Sequence, residues 1–257
     1  MKIIAIALNT FRESVRDRVL YNLVLFVLLI VIASVVMGRI AVGQERRIVI
    51  DVGLSAMTIF GVLISIFIGI GLVSKEIEKR TIALILAKPV RRSTFVLGKY
   101  LGLCLTLLVN IAVMAVAVML ALLYVSEDFA AIHLSIWPGA FLIFLELAVV
   151  TAVALLFSCF SSPALSALFT LLIFLIGRWS PDLKLLAEAS TSFATRTLCR
   201  ALYHLLPNLA NFNYINEIAR GGAVPPRIII ANTVYAGFYI LALLAASVLI
   251  FERRDFQ

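Results

Sequence analysis

Long runs without a single charged residue dominate this sequence and set the narrowest limits on its fold. A helix that crosses the hydrocarbon core of a bilayer needs about 20 mostly apolar residues. Runs of that length lie at 19–37, 52–73, 100–125 and 228–251, and charged residues closely flank each of them. The chain is 63% apolar and only 14% charged, whereas soluble domains carry about 25% charge. The sequence therefore predicts an integral membrane protein.

A fifth stretch, apolar and almost free of charge, is too long for a single crossing. Residues 139–177 contain one charge, Glu146, and the sequence Ser-Ser-Pro at 161–163 interrupts them. Because proline is favoured in the first turn of a helix and serine just before it, this interruption predicts a hairpin between spans at 139–160 and 164–177. The expected fold is thus all-α, with six transmembrane helices in one domain over residues 1–257.

The distribution of positive charge predicts the orientation of the chain. If both termini are cytoplasmic, the cytoplasmic segments hold thirteen Lys and Arg residues and the two short outer loops hold three. Such a bias is typical of membrane proteins, whose cytoplasmic loops are rich in these residues. It also accounts for the net charge of +8, so we expect membrane lipid as a partner and no nucleic acid. The first apolar run has no small-residue cleavage site and is expected to remain as an anchor.

Residues 1–18 predict an amphipathic helix at the membrane interface. Their apolar positions recur at helical spacing, at Ile4, Leu8, Phe11, Val15 and the following Val19. Polar side chains occupy the other face, at Asn9, Arg12, Glu13 and Arg16. A helix of this kind lies in the plane of the interface with its cations toward lipid phosphates. Phe11, Arg12 and Arg16 are the candidate interface residues, and a merely solvated N-terminal extension is the alternative.

The segment between the second and third spans, 75–99, combines charge with a short helical pattern. Its apolar positions are Ile77, Ile82, Leu84, Ile85 and Leu86, and its charged face holds Glu76, Glu78, Lys79 and Arg80. Pro89 is expected to end the helix, since proline lacks an N–H group and disfavours helical backbone in the residue before it. A short charged helix of this kind can dock into a groove of a cytosolic partner. The alternative is an ordinary basic loop.

The long outer connection, 178–227, is too apolar for a flexible loop. Its leucines and Phe193 favour one or two short helices on the outer leaflet. Pro207 and Asn208 are expected to break these helices, and Gly221-Gly222 to form the turn toward the last span.

Two polar residues inside the apolar runs are candidates for a substrate pathway. Glu146 is a carboxylate in a membrane span, which by default is a functional candidate, although a structural hydrogen bond is the alternative. It lies about two turns into its predicted span, within reach of interfacial water. Asn110 suits a contact between helices. The sequence lacks the glycine-rich phosphate loop and any cluster of metal ligands, so we do not expect an enzyme and expect no cofactor in this chain.

The segment 75–102 resembles the cytoplasmic signature of type-two permeases of ATP-binding-cassette (ABC) transporters. In that family the signature has paired acids, a threonine, a leucine-rich turn, Lys-Pro, a basic pair, an aromatic residue and Leu-Gly-Lys-x-x-Gly. The matching residues here are Glu76, Glu78, Thr81, Leu84, Leu86, Lys88, Pro89, Arg91, Arg92, Phe95, Leu97, Gly98, Lys99 and Gly102. The segments 206–213 and 251–256 are also similar, and Arg80 departs from the glycine that many members carry. The chain is most similar to the small stand-alone permeases of copper and nitrous-oxide reductase maturation systems.

The resemblance implies a mechanism. Two permease chains, identical or related, would form a substrate pathway, and two cytosolic ATPases holding ATP and Mg would drive export across a bacterial or archaeal inner membrane. The residues implied in ATPase coupling are Glu76, Glu78, Lys79, Arg80, Thr81, Pro89, Arg91 and Arg92, and residues 2–18 would form an interface helix that also contacts the ATPase. The alternatives are an ion- or proton-coupled secondary transporter and a non-transporting assembly or scaffold protein.

Overall fold

A computed structural model describes residues 2–16, 18–40, 43–78, 92–125, 129–190 and 192–253. These residues form ten α-helices and one 3-10 helix, η1, and include no strand. The helices are α1 (Lys2–Val15), α2 (Arg18–Ile40), α3 (Glu45–Glu78), α4 (Arg92–Val125), α5 (Phe129–Ser158), α6 (Pro163–Arg178), α7 (Ser180–Ala189), α8 (Phe193–Leu205), η1 (Leu209–Phe212), α9 (Ile215–Ala219) and α10 (Pro226–Arg253). The predicted all-α class is confirmed for this part of the chain.

Three long helices, α3, α4 and α5, pack on one another and form the centre of the bundle. Helix α2 packs against α3 and α4, and α10 packs against α5 and α4. Close packing depends on small residues, because a Cβ atom added at Gly61 of α3 would overlap the side chain of Leu147 of α5. A Cβ atom added at Gly69 of α3 would lie 3.4 Å from the Cβ atom of Ala154, which is also on α5. Small residues of this kind let helices approach closely without a hydrophobic driving force.

Four of the described helices contain segments long and apolar enough to cross a membrane, namely Glu45–Ile70, Ser93–Val125, Ile136–Ser158 and Pro226–Phe251. A fifth crossing results if α6 and α7 count as one span, which bends by 64° between them. The described apolar part of α2, Leu23–Gly38, is shorter. The structure therefore has four or five candidate spans, by length and composition, where the sequence predicts six.

The hairpin between α5 and α6 has the predicted turn chemistry. Ser162 precedes α6 in an extended conformation (φ −69°, ψ 158°), and Pro163 is the first helical residue. The rings of Phe157 and Phe169, one on each helix, lie 5.4 Å apart across the hairpin. The turn thus joins two helices that pack side by side.

The long connection after α6 contains more structure than predicted, since it forms α7, α8, η1 and α9. Side chains of α10 hold its central part. Tyr235 Oη accepts a hydrogen bond of 2.7 Å from the Asn208 backbone N–H, and Asn232 Nδ2 donates one of 2.8 Å to the Asn211 carbonyl. Breaks at Pro207 and Asn208 agree with the end of α8 at Leu205.

We expect Tyr235→Phe to destabilise this connection, because the Asn208 N–H loses its acceptor. The lost hydrogen bond corresponds to about 1 kcal/mol of the free energy of unfolding. Thermal unfolding of the purified protein measures the effect, and hydrogen exchange would show faster exchange at Asn208. Tyr21→Phe is the matched control, since Tyr21 is exposed on α2. Equal unfolding of the two variants would contradict the role given to Tyr235.

Candidate functional site

The N-terminal helix α1 packs directly on the first turns of α4. Two glycines of α4 make this contact possible. A Cβ atom at Gly98 would lie 2.7 Å from the Cβ of Ile6, and one at Gly102 would lie 2.6 Å from both the Ala7 carbonyl oxygen and the Thr10 Cβ. The contact therefore includes the backbone of α1 and leaves no room for a larger side chain. We call the contact of Ile6, Ala7 and Thr10 with Gly98, Lys99 and Gly102 the α1–α4 joint.

The face of α1 that packs on α4 is not the apolar stripe predicted from the sequence. Thr10 and Ser14 are fully buried, whereas Ile4 and Leu8 are exposed at 63% and 43%. Phe11 is half-buried, and Arg12 and Arg16 are exposed. The apolar positions predicted from the sequence are thus partly free to contact lipid, while the face with Ile6, Ala7 and Thr10 contacts α4.

A buried cation lies in the α1–α4 joint. Lys99 is only 2% exposed, and its Nζ lies 3.9 Å from Oε2 of Glu13 on α1. The same Nζ lies 5.8 Å from the centroid of the Phe95 ring, which stacks on Phe251 near the end of α10 at a centroid distance of 5.8 Å. Glu13 and the face of the Phe95 ring stabilise the buried charge of Lys99. Lys99 and Phe95 together thus connect α4 with α1 and α10.

The predicted coupling segment is followed directly by the part of α4 that forms this joint. Helix α3 continues to Glu78, so Glu76 and Glu78 belong to its last turn, and Arg92 begins α4. Lys79, Arg80, Thr81, Pro89 and Arg91 lie outside the described residues. Gly98 and Gly102 are less than three turns beyond Arg92 on the same helix. A displacement of the segment 79–91 would therefore act first on the part of α4 that holds α1.

A second polar feature lies inside the bundle, where Glu146 of α5 pairs with Arg178 at the end of α6. One guanidinium nitrogen of Arg178, Nη1, donates to both carboxylate oxygens of Glu146, at 2.7 Å and 3.0 Å. The Glu146 side chain is 1% exposed and that of Arg178 is 23% exposed. The carboxylate is thus enclosed by protein and has a charged partner.

Glu146 is more enclosed by protein than the sequence predicts. Helix α5 begins at Phe129 and contains Pro138, so the helix extends beyond the predicted start of the span at 139. Proline is tolerated inside such helices when neighbouring groups satisfy the freed backbone. Within the apolar segment Ile136–Ser158, Glu146 is near the midpoint. The expected contact with interfacial water is replaced by the ion pair with Arg178, a residue that the sequence analysis did not select.

Asn110, the other pathway candidate, is buried on α4. Its Nδ2 donates a hydrogen bond of 2.7 Å to the Thr106 carbonyl in the same helix. No hydrogen bond joins Asn110 to Glu146, and both of these residues are described by the structure. Among the described residues, no group of three or more His, Cys, Asp or Glu side chains could hold a metal ion.

These features define a multi-pass helical membrane protein with a peripheral helix held against the start of one of its spans. A family model described as ABC-2 family transporter protein matches residues 4–256. The chain therefore belongs to the ABC-2 family of transporter proteins, and it is a permease of an ABC-type transporter. Permeases of this family are membrane components that work with ABC ATPase subunits. No curated protein matched the chain.

Proposed function

We propose that this chain is the membrane subunit of an ATP-driven exporter and that it receives force through the α1–α4 joint. One observation carries the proposal. Helix α1 packs closely against Gly98 and Gly102 of α4, the helix that directly follows the coupling segment. Family membership supports a partnership with ABC ATPases. The long helices α3 and α4, which flank the segment, provide rigid arms on both sides of it.

In this mechanism both termini are cytoplasmic and six helices cross the inner membrane of a bacterium or an archaeon. The cytosolic ATPases, which hold ATP and Mg, dock on the segment that includes Glu76, Glu78, Lys79, Arg80, Thr81, Pro89, Arg91 and Arg92. Their closure tilts the start of α4, and α1 moves with it because the two helices are in close contact. Two permease chains form the substrate pathway between them. Charged contacts suit such a joint, since they determine register and choice of partner.

Charge reversal in the last turn of α3 tests the coupling. We expect Glu76→Lys/Glu78→Lys to weaken association with the cognate ATPase roughly tenfold or more, because two like-charge contacts replace two attractive ones. Co-purification measures association, and ATP-dependent transport in proteoliposomes measures coupling. Asp182→Lys/Glu188→Lys is the matched control, since both residues are exposed on α7.

Three outcomes would contradict the proposal. Association and transport that survive reversal of Glu76 and Glu78 would show that the docking contact lies elsewhere. Transport by the purified chain along an ion gradient, with no ATPase present, would favour a secondary transporter. A chain that binds the ATPase but moves no cargo in the complete complex would favour a scaffold.

A further inference from the structure

The end of the bundle opposite the α1–α4 joint carries a charged feature that the coupling mechanism does not use. The turn between α2 and α3 and the C-terminal end of α9 line a cavity of about 390 Å³. Three of its lining residues are arginines, Arg46 and Arg47 from the start of α3 and Arg220 from the end of α9. Guanidinium groups from two separate elements thus line one concave surface, which we call the arginine cavity.

The positive charge of the arginine cavity is not balanced within the described part of the chain. No described carboxylate lines the cavity, and none forms a recorded ion pair with any of the three arginines. The Nε atom of Arg46 is buried and has no hydrogen-bond partner among the described residues. A buried donor without an acceptor raises the free energy of the folded protein, whereas Arg47 and Arg220 are exposed. An anion that accepts hydrogen bonds from the guanidinium groups would remove this cost and balance the positive charge.

The cavity is formed by well-packed elements. Helix α9 packs against α3, and Ile218 is fully buried and lies against Gly139 of α5. Arg220 immediately follows α9, and its backbone N–H donates to the Asn216 carbonyl at 3.1 Å. Gly221 (φ +86°) then turns the chain away in a left-handed conformation that favours glycine. Arg220 is therefore held opposite Arg46 and Arg47 before any ligand arrives.

We propose that the arginine cavity binds a phosphate-type oxyanion. The planar fork of an arginine matches the geometry of phosphate oxygens and donates two hydrogen bonds at once. Two sources carry this chemistry, the headgroup of an anionic membrane lipid and a soluble phosphate. Arg46 and Arg47 precede the apolar run that begins at residue 52 by about one and a half turns, a distance that suits headgroup contact. The proposal does not depend on coupling to an ATPase.

Binding by the purified full-length chain in detergent tests the proposal with two probes. The first is radiolabelled inorganic phosphate at constant ionic strength, and the second is dioleoyl phosphatidylglycerol added to the micelles. The variant is Arg46→Gln/Arg220→Gln. The matched control is Arg196→Gln/Arg200→Gln, which removes two exposed positive charges from α8 and leaves the cavity intact. Size-exclusion chromatography and circular dichroism verify that each variant is folded, and the single variant Arg220→Gln replaces the double variant if the latter does not fold.

We expect saturable binding that the cavity variant weakens roughly tenfold or more, as loss of charge-assisted hydrogen bonds predicts, while the control binds like the wild type. Binding of the lipid alone identifies a headgroup site, binding of phosphate alone identifies a soluble ligand, and binding of both shows that the phosphate group itself is recognised. No saturable binding of either probe by the wild type would overturn the proposal. Equal weakening by the cavity variant and the control would also overturn it.

Discussion

Arg178→Leu is expected to destabilise the bundle by about 3–5 kcal/mol, because it leaves the Glu146 carboxylate buried without its counter-charge. The size of this effect follows from the burial, since the Glu146 side chain is 1% exposed and both of its oxygens accept hydrogen bonds from Arg178. Removing one partner of a buried pair is far more costly than replacing both by apolar groups of similar volume. Glu146→Leu should cost less than Arg178→Leu, because the remaining arginine is 23% exposed.

The double variant Glu146→Leu/Arg178→Leu separates the interaction energy of the ion pair from the effects of the two single substitutions. We expect it to be more stable than Arg178→Leu alone, with a coupling energy that appears as the failure of the single effects to add. Reversible unfolding of the purified chain in detergent gives the four free energies. Arg196→Leu, at an exposed position of α8, controls for the loss of one positive charge. An Arg178→Leu protein that unfolds no more readily than this control would contradict the role of the ion pair.

Transport by the double variant distinguishes a structural pair from a pathway group. A stable double variant that still exports its cargo would show that the pair maintains the packing of α5 against α6. A stable double variant without transport would place Glu146 in the substrate pathway, which is the role considered for it from the sequence.

The position of Arg178 could have been predicted from the hairpin. Glu146 precedes Ser161 by 15 residues and Arg178 follows Ser162 by 16, so antiparallel helices joined at this turn bring them to the same level. A carboxylate inside a span also requires a partner. The pair is not evident from charge patterning alone, because a charge such as Arg178 marks the end of an apolar run, here at 177. A charge ends an apolar run, but it does not always leave the protein interior.

The uncharged runs predicted the helices well and their limits less well. The run at 52–73 corresponds to α3, which extends from Glu45 to Glu78. Hydrocarbon thickness limits the apolar run, whereas backbone hydrogen bonding lets the helix continue into water on both sides. The bend of 64° between α6 and α7 was not predicted, although Pro181 in the first turn of α7 is a residue that favours a new helix start. Near this bend Gly177 packs closely against Pro207 and Leu209 of the following connection.

The packing face of α1 also could not be predicted from periodicity. An apolar stripe in a water-soluble helix faces the core, but a helix at a membrane can turn the same stripe toward lipid. The pair of glycines at 98 and 102 determines the contact here, because it leaves room for the face of α1 that contains Thr10. The signature Leu-Gly-Lys-x-x-Gly contains both glycines, so its spacing reflects a close contact between helices.

Gly102→Val is expected to separate α1 from α4 and to abolish most of the coupling between ATP hydrolysis and transport. The new Cβ would lie 2.6 Å from the Ala7 carbonyl oxygen and from the Thr10 Cβ, and neither atom can move away by a side-chain rotation. Overpacking of this kind costs about 1–3 kcal/mol, which is enough to shift α1 from a mostly docked to a mostly undocked state. ATPase and export rates of the reconstituted complex measure the coupling. Trypsin cleavage at the exposed Arg12 and Arg16 measures the docking, and it should become faster.

Gly237→Val is the matched control, because it makes the same substitution inside a long helix, α10, where a Cβ would meet nothing within 4 Å. Both variants replace a glycine by the same residue of higher helix propensity, so a difference between them reports the contact with α1. If Gly102→Val left cleavage, hydrolysis and export at the level of Gly237→Val, α1 would not need the glycine groove. If cleavage became faster while export stayed normal, α1 would dock as observed but would not transmit force, and the ATPase would have to act through the segment 79–91 alone.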